Sequence, residues 1–200
     1  MSNKKEQHSL FSASNTYLVA YNVFQFTGWF VLLVKTFNHI SYNGYEVEGL
    51  WKETGVCLKI FQTLAILEIF HSLFGIVKSS VVTTTVQLFS RVFVVWGILN
   101  IAQSSQMSIG LPLILIAWTI TEVVRYSFYF LNILKVVPWI LIYFRYTFFI
   151  VLYPLGVLGE QLLIYAALPI ISKNKLFTVR LPNAANFTFD FQVAFFGIRQ

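Results

Sequence analysis

Apolar residues fall along this chain in five stretches, each at least as long as a bilayer core is thick, with short polar groups between them. The first runs from about Thr16 to Phe37, broken chiefly by Asn22, Gln25 and Lys35, and ends in a polar loop holding Asn43-Gly44, Glu46, Glu48, Lys52 and Glu53. The second covers about Leu58 to Val77, and Lys78-Ser79-Ser80 makes a short turn. The third covers about Val81 to Ile101, followed by Gln103-Ser104-Ser105-Gln106. The fourth extends from about Ile109 to Leu131, with Pro112 in its first turn, where proline is tolerated, and Lys135 in the connection beyond. A hydrocarbon core of about 30 Å needs about 20 helical residues, so each stretch predicts a membrane span. The fifth, Pro138 to Ile171, has 34 residues. As a helix it would reach about 51 Å, so it is expected to break, tilt steeply or protrude. Pro154, Gly156 and Gly159 mark the expected break.

From Ser172 the chain turns polar (Lys173, Lys175, Arg180, Pro182-Asn183), and the closing piece from Phe187 to Gln200 is too short to cross. The pattern predicts an all-α polytopic membrane helix bundle, folded as a single domain over residues 1–200. Residues 1–15 form a polar tail and residues 172–200 a segment after the fifth span. No repeat of 20–50 residues is visible.

Composition agrees: 57% of residues are hydrophobic and 11% charged, where soluble domains carry about 25% charged residues. The net charge of +6 is scattered rather than massed, which argues for lipid headgroups and against nucleic acid as its partner. The lone Cys57 excludes an intrachain disulfide and a Cys-rich metal site. The first apolar run is too long for a signal-peptide core and is expected to remain as a span.

Charges inside the spans are few: Glu68, Glu122 and Glu160 against Arg91, Arg125 and Arg145. Equal numbers suggest pairing across a bundle interior, since ionisable groups in hydrocarbon cost roughly 2.5–3.5 kcal/mol on insertion scales. Glu122 and Arg125 can pair along one helix, and Glu68 and His71 share that spacing. Structural ion pairing accounts for Arg91, Glu68 and Glu122 without further chemistry. Tyr153 and Glu160 are different, because they flank the expected break. Seven residues apart, they are roughly 700° around a helix and so share one face, about 10 Å apart along its axis.

Metal chemistry is poorly supported, since His8, His39 and His71 are the only histidines and Glu68-Ile69-Phe70-His71 is a single Glu-x-x-His. A di-iron bundle would need two such motifs and two more carboxylates. No phosphate loop, dinucleotide fingerprint or Gly-x-Ser-x-Gly appears. A phenol and a carboxylate together suit the transfer of one proton from carbon and another onto a leaving oxygen. Intramembrane charge also fits a small transporter, but no inverted repeat is visible.

Tyr153-Pro154-Leu155-Gly156-Val157-Leu158-Gly159-Glu160 resembles the signature of the very-long-chain 3-hydroxyacyl-CoA dehydratases, the protein tyrosine phosphatase-like A family. The same is true of Leu67-Glu68-Ile69-Phe70-His71, Ser90-Arg91-Val92-Phe93, Trp118 to Glu122, Arg125 to Tyr129, and Arg180-Leu181-Pro182-Asn183. The matching motifs run in order from about Tyr17 to Phe191, and Gln192 to Gln200 looks unlike the family.

The resemblance implies a six-span endoplasmic reticulum protein that removes water from a 3-hydroxyacyl-CoA to give the trans-2-enoyl-CoA, the third step of fatty acid elongation, without a cofactor. It implies Tyr153 and Glu160 as the catalytic pair, with Arg91, Glu122, Arg125, Arg145 and Glu68 in a supporting shell. Either catalytic residue could be the base; the favoured assignment has Tyr153 as base, aided by Arg145 or Arg125, and Glu160 as proton donor. An apolar tunnel would hold the acyl chain, and the CoA end would lie near cytosolic basic residues. Fatty acid elongase, 3-ketoacyl-CoA reductase and trans-2-enoyl-CoA reductase are the implied partners. Family members continue through a sixth span and a basic tail, whereas this chain ends at Arg199-Gln200, so five spans plus an incomplete sixth are expected. The alternative is an inactive membrane scaffold for elongation enzymes. Phosphatase chemistry has no support: the position after a five-residue spacer from Cys57 is Thr63, where Cys-x5-Arg needs arginine.

Two expectations concern orientation. Lys4, Lys5, Lys78 and Lys135 lie on the N-terminal side of a five-span chain, and Lys35, Lys52, Lys59, Lys173, Lys175 and Arg180 on the other. Charge alone therefore places the N-terminus outside. The family resemblance places it in the cytosol, which makes the loop after the fifth span lumenal and the Asn186-Phe187-Thr188 sequon usable.

Overall fold

The computed structural model describes residues 12–44, 47–174, 176, 178–179 and 189–190. Among them, five helical segments are long and apolar enough to cross a membrane. Helix α1 covers Ala13–Asn43. The second span consists of α2 (Leu50–Leu64) and α3 (Leu67–Leu73). Helix α4 (Val81–Val92) widens into a π segment, Phe93–Leu99. After the single turn of α5 (Gln103–Gln106) come α6 (Gly110–Ile133) and α7 (Trp139–Lys173). Beyond them, β1 (Thr178–Val179) and β2 (Phe189–Asp190) form a two-residue antiparallel ladder. The molecule is an all-α multi-pass bundle. The Asn186 sequon lies outside the described residues, as does most of the chain after Asn174.

Helix α6 is the centre, packing along both α1 and α7. Its buried residues Leu111, Ile114, Leu115, Trp118, Glu122 and Tyr126 recur at three- and four-residue intervals, while Ala117 and Thr119 are buried besides. Helix α1 presents a narrower seam: Leu18, Asn22, Gln25, Trp29, Leu32, Thr36 and His39 alternate steps of four and three residues. Of the polar interruptions of the first apolar stretch, Asn22 and Gln25 face the interior and Lys35 is exposed; Asn22 and the neighbouring buried Thr36 bond carbonyls of their own helix. Gly28 lets α1 and α2 meet closely, since a Cβ there would lie 2.0 Å from the Phe61 ring.

Two expectations need correction. The second span begins at Leu50 and ends at Leu73, not at Leu58 and Val77. Leu50, Thr54, Leu58 and Gln62 form one buried seam at four-residue spacing, which carries the helix back through the polar Lys52-Glu53. Gly49, at φ +84°, and Gly75, at φ +68°, bound it.

The other correction concerns α7, which is continuous through Pro154 and Pro169 rather than broken. A proline removes one helical hydrogen bond; the flanking turns are held from outside. Gly156, Gly159, Leu163 and Ala167 are buried, and the Ser105 and Ser104 hydroxyls donate to the carbonyls of Leu163 (2.8 Å) and Ala166 (2.6 Å). The glycines serve packing: a Cβ on Gly159 would lie 2.7 Å from Ile114 Cγ2 and 3.0 Å from the Ile114 nitrogen. Small residues let two helices approach at backbone distance, a main source of association between helices in lipid.

Candidate active site

Tyr153 and Glu160 share a face of α7, and both line a cavity of about 550 Å³. Helix α7 packs against the π segment more than against α4, and the cavity occupies the gap towards the Val81 end. Its apolar wall includes Val86, Phe144, Phe148, Phe149, Leu152 and Val157; its polar wall is Arg91, Trp118, Glu122, Arg125 and Arg145. The Tyr153 ring lies 5.3 Å from that of Phe149. Tyr153 remains 62% exposed, so the cavity opens sideways, towards the bilayer. Glu160 is half-buried, with the Trp118 indole N–H directed at its carboxylate.

Behind the cavity, four charges alternate. Arg91 donates to one oxygen of Glu122, and Arg125 Nε donates to the other at 2.7 Å. The two terminal nitrogens of Arg125 grip Glu68 at 2.9 and 3.0 Å. Tyr126 and Tyr21 hydroxyls donate to Glu68 as well, Tyr21 at 3.4 Å. The Arg91 guanidinium lies between two indoles, 5.6 Å from Trp29 and 4.4 Å from Trp118. Pairing of each buried charge is the condition under which such a network survives in a low dielectric; Arg91 Nε and Nη2 have no hydrogen-bond partner and lie against the two indoles.

This changes the expected pairing of three acids with three bases. Glu68, Glu122, Arg91 and Arg125 form the network; Glu160 and Arg145 take no part in it. Arg145 instead stacks on Phe128 at 4.1 Å and Tyr129 at 5.2 Å. Glu122 and Arg125 pair along α6 as their spacing predicts. Glu68 and His71 do not: His71 Nε2 meets the Tyr17 hydroxyl at 2.9 Å, and the Glu68 oxygens are engaged by Arg125, Tyr126 and Tyr21.

Of the expected supporting residues, Arg91, Glu122, Arg125 and Arg145 line the cavity with Tyr153 and Glu160, while Glu68 does not. Glu68 lines a second cavity of about 580 Å³ with Tyr21, His71 and Lys78. Gln87, Arg91 and Arg125 border both cavities and form the partition between them. Trp118 and Tyr126 were not singled out from the sequence. Their register with Glu122, four residues to either side, is the signal that places all three on one face of α6.

The fold and this site define a multi-pass membrane protein whose lipid-accessible cavity holds a phenol and a carboxylate beside a fixed ion-pair network. Residues 62–198 match the family described as protein tyrosine phosphatase-like protein, PTPLA. The chain is 49% identical over 177 residues to very-long-chain (3R)-3-hydroxyacyl-CoA dehydratase hpo-8 of Caenorhabditis elegans, covering 88% of this chain and 81% of that protein. It is 45% identical over 178 residues to very-long-chain (3R)-3-hydroxyacyl-CoA dehydratase 2 of Homo sapiens, covering 89% and 70%. To very-long-chain (3R)-3-hydroxyacyl-CoA dehydratase PASTICCINO 2 of Arabidopsis thaliana it is 39% identical over 176 residues, covering 88% and 79%. No solved structure matches. The chain belongs to the PTPLA family, and the match extends through residue 198, which corrects the expectation that the segment from Gln192 looks unlike the family.

Proposed function

We propose that this chain dehydrates very-long-chain 3-hydroxyacyl-CoA to trans-2-enoyl-CoA, with Tyr153 and Glu160 as its acid/base pair. One observation carries the site assignment: the two residues face one cavity from one side of α7, and neither belongs to the ion-pair network behind it. The dehydratase names of the relatives support the reaction, and they disfavour an inactive scaffold.

The reaction needs a base for the proton on Cα, which the thioester acidifies, and an acid for the departing hydroxyl. A phenolate and a carboxyl supply them, and the apolar wall takes the acyl chain from the bilayer. Arg125 has both ends committed to carboxylates, so its part is to hold the cavity wall. The endoplasmic reticulum is the proposed membrane, where the elongase, the 3-ketoacyl-CoA reductase and the trans-2-enoyl-CoA reductase would provide the preceding and following steps.

Tyr153→Phe and Glu160→Gln keep shape and remove chemistry. Each is expected to lower kcat by about 10²–10⁴-fold, with the double variant little worse than either alone. His71→Gln, which loses the hydrogen bond to Tyr17 and the edge contacts with the Tyr17 and Tyr21 rings, is expected to keep most activity. Enoyl-CoA formation by purified protein measures all of these. Near-normal turnover by Tyr153→Phe would end the assignment.

A further inference from the structure

Among the described residues Arg145 is the one arginine of the spans without a carboxylate. Arg91 and Arg125 are bound in ion pairs, although Arg91 Nε and Nη2 are themselves buried without a hydrogen-bond partner. Arg145 makes no ion pair, and its Nη1 is buried with no hydrogen-bond partner. Stacking on Phe128 and Tyr129 fixes the guanidinium in the wall of the cavity that Tyr153 and Glu160 line. An unpaired cation in a hydrocarbon layer is costly, and a cavity beside it is where a compensating anion would come.

Position along α7 decides which part of a ligand that anion is. Arg145, Tyr153 and Glu160 follow one another at intervals of eight and seven residues, about 12 and 10 Å along a helix axis. Helical side chains also lean towards the N-terminus, which carries the guanidinium further towards Trp139. Arg145 therefore lies on the side of Tyr153 opposite Glu160, away from the reacting Cα–Cβ bond. Its offset is instead comparable with the reach of the pantetheine arm that separates such a thioester from its phosphates. Lys78 and Lys135 lie at the same end of the bundle and add positive charge there.

Resting on the acid/base reading of Tyr153 and Glu160, we propose that Arg145 binds the phosphate-bearing arm of the acyl-CoA. The substrate then lies along α7 with its phosphates towards Trp139 and its acyl chain beyond Glu160. A planar guanidinium suits phosphate oxygens, which it can meet with two parallel hydrogen bonds.

This polarity assigns the chemistry. From carrier to chain the substrate presents sulfur, carbonyl, Cα and then Cβ. Tyr153, nearer the phosphates, faces Cα, and Glu160 faces the hydroxyl on Cβ. The Tyr153 phenolate takes the Cα proton, and the electron pair released forms the Cα–Cβ double bond. The C–O bond breaks as the Glu160 carboxyl gives its proton to the leaving hydroxyl, releasing water. One proton passing from the phenol to the carboxylate restores both groups.

The test compares a 3-hydroxyacyl-CoA with the same acyl group on N-acetylcysteamine, which lacks phosphates, using full-length protein in a maltoside detergent free of phospholipid. For Arg145→Gln, KM for the CoA substrate is expected to rise about tenfold or more, with kcat within about threefold. For the cysteamine thioester, kcat/KM should equal that of wild type. Free CoA should compete for the wild-type site and do so about tenfold more weakly for the variant. If Arg145→Gln is not recovered folded, Arg145→Lys carries the same comparison with a smaller rise in KM. Equal losses on both thioesters, or none on either, would overturn the proposal. So would a loss seen only in phospholipid vesicles, which would assign the arginine to a lipid headgroup. Tyr153→Phe should lower turnover of both thioesters by about 10²–10⁴-fold; near-normal turnover of either would end the acid/base reading whatever Arg145 does.

Discussion

Glu122 is 1% exposed and has both carboxylate oxygens committed, one to Arg91 and one to Arg125. Removing that negative charge leaves two guanidiniums facing a single carboxylate, Glu68. Breaking a buried pair from one side costs about 3–5 kcal/mol, because the remaining charge stays desolvated. Glu122→Gln is therefore expected to lose about that much stability, read as a lower midpoint of thermal unfolding in detergent. Glu122→Leu combined with Arg91→Met removes the orphaned charge and should recover a large part of the loss. A double variant as unstable as the sum of its two single substitutions would show that Glu122 and Arg91 are not coupled. The charged residues themselves were legible in the sequence because so few occur in apolar stretches. Their partners were not, since a zero sum says nothing about which helix faces turn together. Arg145 and Glu160 balance in number yet stay outside the network.

Helix α7 shows how element-level patterns are read correctly and still mislead. Pro154, Gly156 and Gly159 disfavour a helix in isolation, and from sequence they predict a break. In the bundle the two glycines are the contact surface for α6, and the helix continues through the proline beside this close neighbour. The two glycines should behave differently. A Cβ on Gly156 would meet Trp118 Nε1 at 3.6 Å, an ordinary contact, whereas one on Gly159 would meet Ile114 at 2.7 Å. Gly159→Ala is thus expected to destabilise by about 1–3 kcal/mol through overpacking, and Gly156→Ala by much less. Equal melting temperatures for the two variants would contradict this packing. The π segment left no trace in the sequence, since buried Val94, Val95, Ile98 and Leu99 have the spacing of an ordinary amphipathic helix. The early start of α2 was hidden for a related reason. Its seam includes Thr54 and Gln62, which a hydropathy reading counts as polar although both are fully buried.

Five spans fix which connections share a side of the membrane. The start of α1, the turn around Lys78 and the connection at Leu134 lie at one end of the bundle. The connections holding Glu48 and Met107 lie at the other. The five spans among the described residues and their order were legible because apolar length alone specifies a crossing, whereas orientation depends on a small charge difference that here points away from the orientation the sequence resemblance implies. The active-site proposal needs the Trp139 end of α7 in the cytosol, where soluble acyl-CoA is made available. Single cysteines at Lys78, Leu134, Glu48 and Met107, in a Cys57→Ser background, test this with a membrane-impermeant maleimide on sealed microsomes. All four positions are at least partly exposed in the fold. Lys78→Cys and Leu134→Cys are expected to react in intact vesicles, and Glu48→Cys and Met107→Cys only after permeabilisation. The reverse pattern would place the Arg145 end in the lumen and remove the route by which phosphates reach it. Protection of one of the pair Lys78 and Leu134 but not the other would break the five-span topology itself.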